Sequence, residues 1–161
     1  YVDMGYTKSQ VGLVTKIYGP IMTMLGVFLG GWISYRIGVL RVLMLGAVLS
    51  AATNLLFAGL ALHGNSLTGL MLVISADNLA AGIASVAFIA YLSSLTNVEY
   101  SATQYALFSS MMMLLPKFIG GFSGAAVATV GYFNFFIGTA CLGLPVLILI
   151  VLVQHKSSKS A

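Results

Sequence analysis

Five long apolar stretches, separated only by short polar breaks, dominate this chain and leave it no aqueous fold. Spanning a bilayer takes roughly 20 apolar residues in a helix. Segments 11–35, 39–62, 67–95, 102–130 and 134–153 each meet that requirement. Hydrophobic residues make up 60% of the chain and charged residues 6%, whereas a soluble domain carries roughly a quarter charged residues. The expected fold is therefore an all-α membrane protein with five transmembrane helices. Residues 1–153 form the bundle and 154–161 a tail. The lipid bilayer is its first partner.

Two opposite charges stand well inside apolar stretches: Asp77 in the third and Lys117 in the fourth. A charge at bilayer depth costs at least a few kcal/mol, so it is usually paired or faces a wet cavity. Asp77 lies ten residues from Leu67 and Lys117 thirteen from Val130, which puts them about 15 Å and 20 Å down their helices from the same side. The expectation is that they pair, or that each alternates between the other and a substrate or proton. A purely structural ion pair is the alternative. Pro116 precedes Lys117, and a proline frees a helix carbonyl and bends the helix, which suits either a hinge beside a cavity or a packing kink. Asn78, Ser75, Ser85, Ser109, Ser110 and Ser123 add polar groups to the same two helices. Met111, Met112 and Met113 are consecutive, so at most two can face one cavity.

Enzyme chemistry has little to work with. The lone Cys141 sits in an apolar span and the two histidines, His63 and His155, are far apart, so neither a metal-ligand spacing nor a cofactor motif is present. The net charge of +4 is spread over span ends and tails. It lacks the basic patch with interleaved aromatics that nucleic-acid binding needs.

Topology follows from the positive charges. Arg36 and Arg41 flank one turn, and Lys156 and Lys159 lie in the tail; the positive-inside rule puts both in the cytoplasm and Tyr1 outside. Trp32, Tyr35, Tyr100, Tyr132 and Phe133 near span ends fit an interfacial belt. Thr7–Gln10 and Ser101–Gln104 each fit a capping box. Gly12, Gly19, Gly26 and Gly30 line the first span and Gly120 and Gly124 form a further pair, small residues of the kind that let membrane helices approach closely. The opening residue, Tyr1, and its polar flank suggest a piece of something longer.

Two stretches resemble a known family. Gly31-Trp-Ile-Ser-Tyr35-Arg36-Ile-Gly38-Val-Leu-Arg41 is similar to the major facilitator motif G-x-x-x-D-R-x-G-R-R, with Tyr35 where the motif has Asp. Asp77-Asn78-Leu79-Ala-Ala-Gly82, Ala87-Phe88-Ile-Ala-Tyr91-Leu-Ser-Ser-Leu-Thr-Asn97 and Ser101-Ala-Thr-Gln104 resemble AmpG-type muropeptide permeases, as does Asp3-Met-Gly5-Tyr6-Thr-Lys-Ser-Gln10. The family usually has Glu where this chain has Asp77.

The resemblance implies a twelve-helix carrier that imports cell-wall sugar–peptide fragments across the bacterial inner membrane, driven by protons. This chain would be its C-terminal half, partnered by an N-terminal half outside the sequence and a small-molecule substrate. Asp77, Lys117, Asn78 and Gln104 would line the pathway. A related carrier for an anionic solute such as acetyl-coenzyme A, or a membrane scaffold that does not transport, are the alternatives.

Overall fold

The computed structural model describes residues 1–63, 66–96 and 101–159. The chain is all-helical there: α1 (Lys8–Leu13), a π-helical turn (Val14–Tyr18), α2 (Gly19–Ile37), α3 (Val39–His63), α4 (Leu67–Leu95), α5 (Ser101–Gly120) and α6 (Ser123–Lys159). Among the described residues, four stretches are long and apolar enough to cross a membrane: Lys8–Ile37, Val39–Leu62, Leu67–Leu95 and Ser123–Lys156.

Local chemistry sets the helix ends. Thr7 caps α1 through the expected box: its hydroxyl accepts from the Gln10 N–H, and the Gln10 side chain accepts from the Thr7 N–H. The second expected box rests on Ser101, whose side chain lies outside the described residues, as do those of His63 and Lys159. Tyr100 of the expected aromatic belt is also outside them. The π-helical turn precedes Pro20, which has no N–H to donate; the helix widens there and the Gly19 N–H bonds to the Val14 carbonyl. Gly38 separates α2 from α3 with φ 90° and ψ 151°, a region essentially reserved for glycine.

The expected fourth and fifth spans are divided differently. Stretch 102–130 is not one helix: α5 ends at Gly120, and Gly121 and Phe122 form a turn. Tandem glycines are weak helix formers, and the Gly121 N–H is shared between the Lys117 and Phe118 carbonyls in a tightened last turn. The break expected around Gly131 is present as a reversal in that glycine's backbone, at φ 77° and ψ 163° inside α6. Helix then continues through the tail residues as far as Lys159, and Gln154 donates to the Leu40 carbonyl at 3.0 Å.

In the bundle, α2 packs on α4, α4 on α3 and α3 on α6. The contacts run along small residues. A Cβ on Gly82 would meet the Val27 nitrogen at 2.8 Å, one on Gly30 the Ile83 Cα at 2.8 Å, and one on Gly46 the Ala84 Cα at 2.8 Å. Gly12, Gly120 and Gly124, part of the expected packing faces, meet nothing within 4 Å. The main core lies where the opening segment covers the ends of α3 and α4: Tyr6, Val14, Phe57, Leu60, Leu70, Val73 and Ile74. By contrast α5 packs sparsely, and Leu107, Met113, Leu114, Phe118 and Ile119 on it are exposed.

Candidate functional site

A band of hydroxyl, amide and carboxyl groups crosses four helices at the depth of Asp77. On one side, Thr23 of α2 donates to Asn78 Oδ1 at 2.8 Å, while Asn78 Nδ2 donates to the Ile74 carbonyl at 2.9 Å. One turn nearer the start of α4, the Tyr18 and Ser75 hydroxyls lie 2.9 Å apart. On the other side, Thr53 of α3 lies 3.1 Å from Asp77 Oδ1 and 3.0 Å from the Ser50 carbonyl. That carbonyl also accepts from Asn54 Nδ2 at 2.8 Å, and Asn54 Oδ1 accepts from Thr139 of α6 at 3.0 Å. Interhelical hydrogen bonds of this kind stabilise membrane bundles modestly, by about 0.6 kcal/mol each. Their concentration around one carboxyl group is what marks the place.

Aromatic groups close the band at the Tyr1 end. The Tyr1 ring packs edge-on to Tyr6 at 6.5 Å and tilted on Phe57 at 6.4 Å, and Phe57 stacks on Phe136 at 5.1 Å. The Tyr6 hydroxyl donates to the Ser66 carbonyl and accepts from the Ser66 N–H, both at 3.1 Å. Burial, then the charge of Asp77, then Tyr6 push the Tyr1 phenol up to about 12. A further tie holds the segment: Tyr132, beside the Gly131 reversal, donates to Asp3 at 2.6 Å.

Two cavities adjoin the band. The larger, about 810 Å³, lies among α3, α4, α5 and α6; Ser50, Asn54, Ser85 and Thr139 form its polar part. Met111, Met112 and Pro116 also line it, whereas Met113 faces outward. The smaller, about 530 Å³, follows the π-helical turn and takes in Thr15, Pro20, Thr23 and Asn78.

Of the residues expected to carry the site, Asp77 and Asn78 come together in this band. Lys117 does not join it: it is exposed on α5, and Thr53 is the side chain bonded to Asp77. Gln104, partly buried in the first turn of α5, belongs to the end of the bundle remote from Tyr1. Ser110 and Ser123 turn back onto carbonyls of their own chain segments. Sequence reasoning passed over Thr53, Asn54, Thr23 and Thr139. The available signal was the spacing of Ser50, Thr53 and Asn54, which puts three polar groups on one face of a helix.

At the opposite end, Gly38 makes the tight turn expected of the motif, its N–H bonded to the Ser34 carbonyl at 2.9 Å. The Arg36 guanidinium lies 5.5 Å from the Trp32 ring centroid. Tyr35 points away from the bundle, 88% exposed. Gly31 has open space beside it and Arg41 is exposed.

The sequence pattern of the Major Facilitator Superfamily matches residues 1–161. The chain belongs to this superfamily. A Rickettsia conorii protein bearing the transporter name AmpG 4 is 34% identical over 156 residues, which are 97% of this chain and 38% of that protein. The anhydromuropeptide permease of Escherichia coli K12 is 29% identical over 152 residues, 94% of this chain and 31% of the permease. A Haemophilus influenzae protein described as uncharacterized is 33% identical over 150 residues, covering 89% of this chain and 35% of its own length. The chain thus spans about a third of the length of the curated relatives it matches. With its apolar spanning helices and its place in this superfamily, it is an integral membrane protein.

Proposed function

We propose that this chain is the C-terminal half of a twelve-helix major facilitator carrier that imports anhydro-muropeptides, driven by protons. The observation that carries the reading is the polar band around Asp77, set about 15 Å down α4 from Leu67. A carrier's site lies near the bilayer midplane between its two halves, which rock about it. Hydroxyls and amides suit a sugar–peptide, and similarity to the Escherichia coli permease favours that substrate class. Asp77 serves as the proton-responsive acid. Lys117 anchors an anionic group of the substrate, with Asn78 and Gln104 as further contacts.

The exposed apolar surfaces of α2 and α5, including Met24, Phe28, Leu114 and Phe118, suit contact with the N-terminal half and with lipid. The Arg36–Arg41 turn and Lys156 face the cytoplasm and Tyr1 the outside of a bacterial inner membrane, in keeping with the positive-inside rule.

Uptake of labelled anhydro-muropeptide into vesicles carrying the full-length carrier, with and without a protonophore, tests the reading. Protonophore-sensitive uptake that Asp77→Asn abolishes at normal expression is expected. A well-expressed carrier that takes up no muropeptide sinks the substrate assignment.

A further inference from the structure

The Thr53 hydroxyl has one hydrogen and two acceptors. It sits 3.1 Å from Asp77 Oδ1 and 3.0 Å from the Ser50 carbonyl, and Thr53 itself is 3% exposed. A hydroxyl offers a single O–H and two lone pairs. With Asp77 ionised, the hydrogen can turn to the carboxylate or to the carbonyl, but it cannot fully serve both. With Asp77 protonated, the conflict disappears: the carboxyl O–H donates to Thr53 Oγ1, and the Thr53 O–H donates to Ser50.

We propose that Thr53 is the positioning residue for Asp77, a hydroxyl rotor whose direction reports whether that carboxyl carries a proton. On deprotonation, the proton leaves Asp77 for the pathway and none passes through Thr53. The Thr53 O–H swings from the Ser50 carbonyl to the carboxylate. Ser50 tolerates the loss because Asn54 Nδ2 still donates to its carbonyl at 2.8 Å. The same Asn54 accepts from Thr139, whose one hydrogen is also contested, between Asn54 Oδ1 at 3.0 Å and the Phe136 carbonyl at 2.9 Å. Thr53, Ser50, Asn54 and Thr139 thus form one line of polar groups from α4 across α3 to α6. The inference rests on Asp77 being the proton-responsive acid of the carrier proposed above.

Few other groups compete for this role. In the opening segment, the Tyr1 phenol feels the charge of Asp77. Beside the band on the α2 side, Tyr18 is engaged by Ser75. At the band, α3 and α6 present Thr53, Asn54 and Thr139, none of which titrates. On α5, Lys117 forms no ion pair with Asp77 among the described residues.

The test uses the full-length carrier in lipid vesicles and two readouts across a pH series: muropeptide uptake, and the infrared carboxyl stretch of protonated Asp77, identified by its loss in Asp77→Asn. Thr53→Val keeps the shape and removes the hydroxyl. A bond to an ionised acceptor is the stronger of the two that are lost, so both midpoints should move upward by about half a unit to one unit. Thr53→Ser should keep the wild-type midpoints. Thr53→Cys, a weaker donor, should shift them less in the same direction, and it serves if the valine variant does not fold.

Unchanged midpoints in a folded Thr53→Val protein overturn the inference, as does the absence of any titrating band assignable to Asp77. If wild-type carrier moves no muropeptide while the Asp77 band still shifts in Thr53→Val, the substrate reading fails and the rotor stands.

Discussion

Gly26 of α2 and Gly82 of α4 face each other so closely that a Cβ on Gly82 would lie 2.9 Å from the Gly26 carbonyl carbon. The atoms in the way are backbone, which cannot rotate aside. Gly82→Ala should therefore separate α2 from α4 and strain the nearby Thr23–Asn78 bond, at a cost in the range of about 1–3 kcal/mol for overpacking a tight contact. Unfolding of the protein in mixed lipid and detergent measures it. Gly12→Ala is the control, since nothing lies within 4 Å of that site. Equal stability of the two variants would show that the small-residue contact is not what holds these helices together.

Two glycines of the turn motif should respond in opposite ways. Gly38 has φ 90° and ψ 151° with open space around it, so Gly38→Ala meets no clash and its cost, about 1–3 kcal/mol, is purely backbone strain. Gly31 is helical, with nothing within 4 Å, and alanine is the better helix former by nearly 1 kcal/mol. Gly31→Ala should leave stability unchanged or raise it. Thermal unfolding of the pair in detergent decides, and a Gly38→Ala variant as stable as wild type would contradict the turn geometry.

Alkaline pH should release the opening segment. The Tyr1 phenol is raised from 10.0 to about 12 by burial and by the Asp77 charge, so the folded state holds that proton more tightly than the unfolded one. Its stabilising contribution is complete below pH 10.0 and is lost as pH rises through about 12. Solvent reaching the partly exposed ring weakens the effect. Hydrogen exchange across Tyr1–Thr7 should accelerate in that window, and Tyr1→Phe should flatten the dependence. An identical alkaline profile in wild type and Tyr1→Phe would rule it out.

The spans 39–62 and 67–95 were legible because apolar length and flanking turn residues carry the information directly, and helices α3 and α4 follow them closely. The break at Gly121–Phe122 was not, because neither residue is polar and hydropathy passes smoothly over it. Asp77 and Asn78 stood out against their apolar surroundings. Thr53 and Thr139 did not, since a threonine in a membrane helix usually bonds back to its own carbonyls, as Thr15 does with Val11. Only the packing of α3 on α4 and α6 turns those two residues toward partners. Lys117 shows the converse: equal depth on paper does not bring two helices together when one of them, α5, packs sparsely.

That difference makes Lys117 the most discriminating residue to replace. If it were the buried partner of Asp77, removing it would strand a carboxylate and destabilise the protein by about 3–5 kcal/mol. Here Lys117 is exposed on α5 beside Leu114 and Phe118, and Asp77 already bonds to Thr53. A lone ammonium group in an apolar stretch costs a few kcal/mol at bilayer depth. Lys117→Met should therefore leave stability unchanged or raise it. In a double-mutant cycle with Asp77→Asn, the coupling should stay within about 0.5 kcal/mol, as expected for sites that share no partner. The measurement is unfolding of the four proteins in lipid vesicles. A coupling energy well above that limit would mean that the two charges find each other in the bilayer, and that α5 closes onto α4 there.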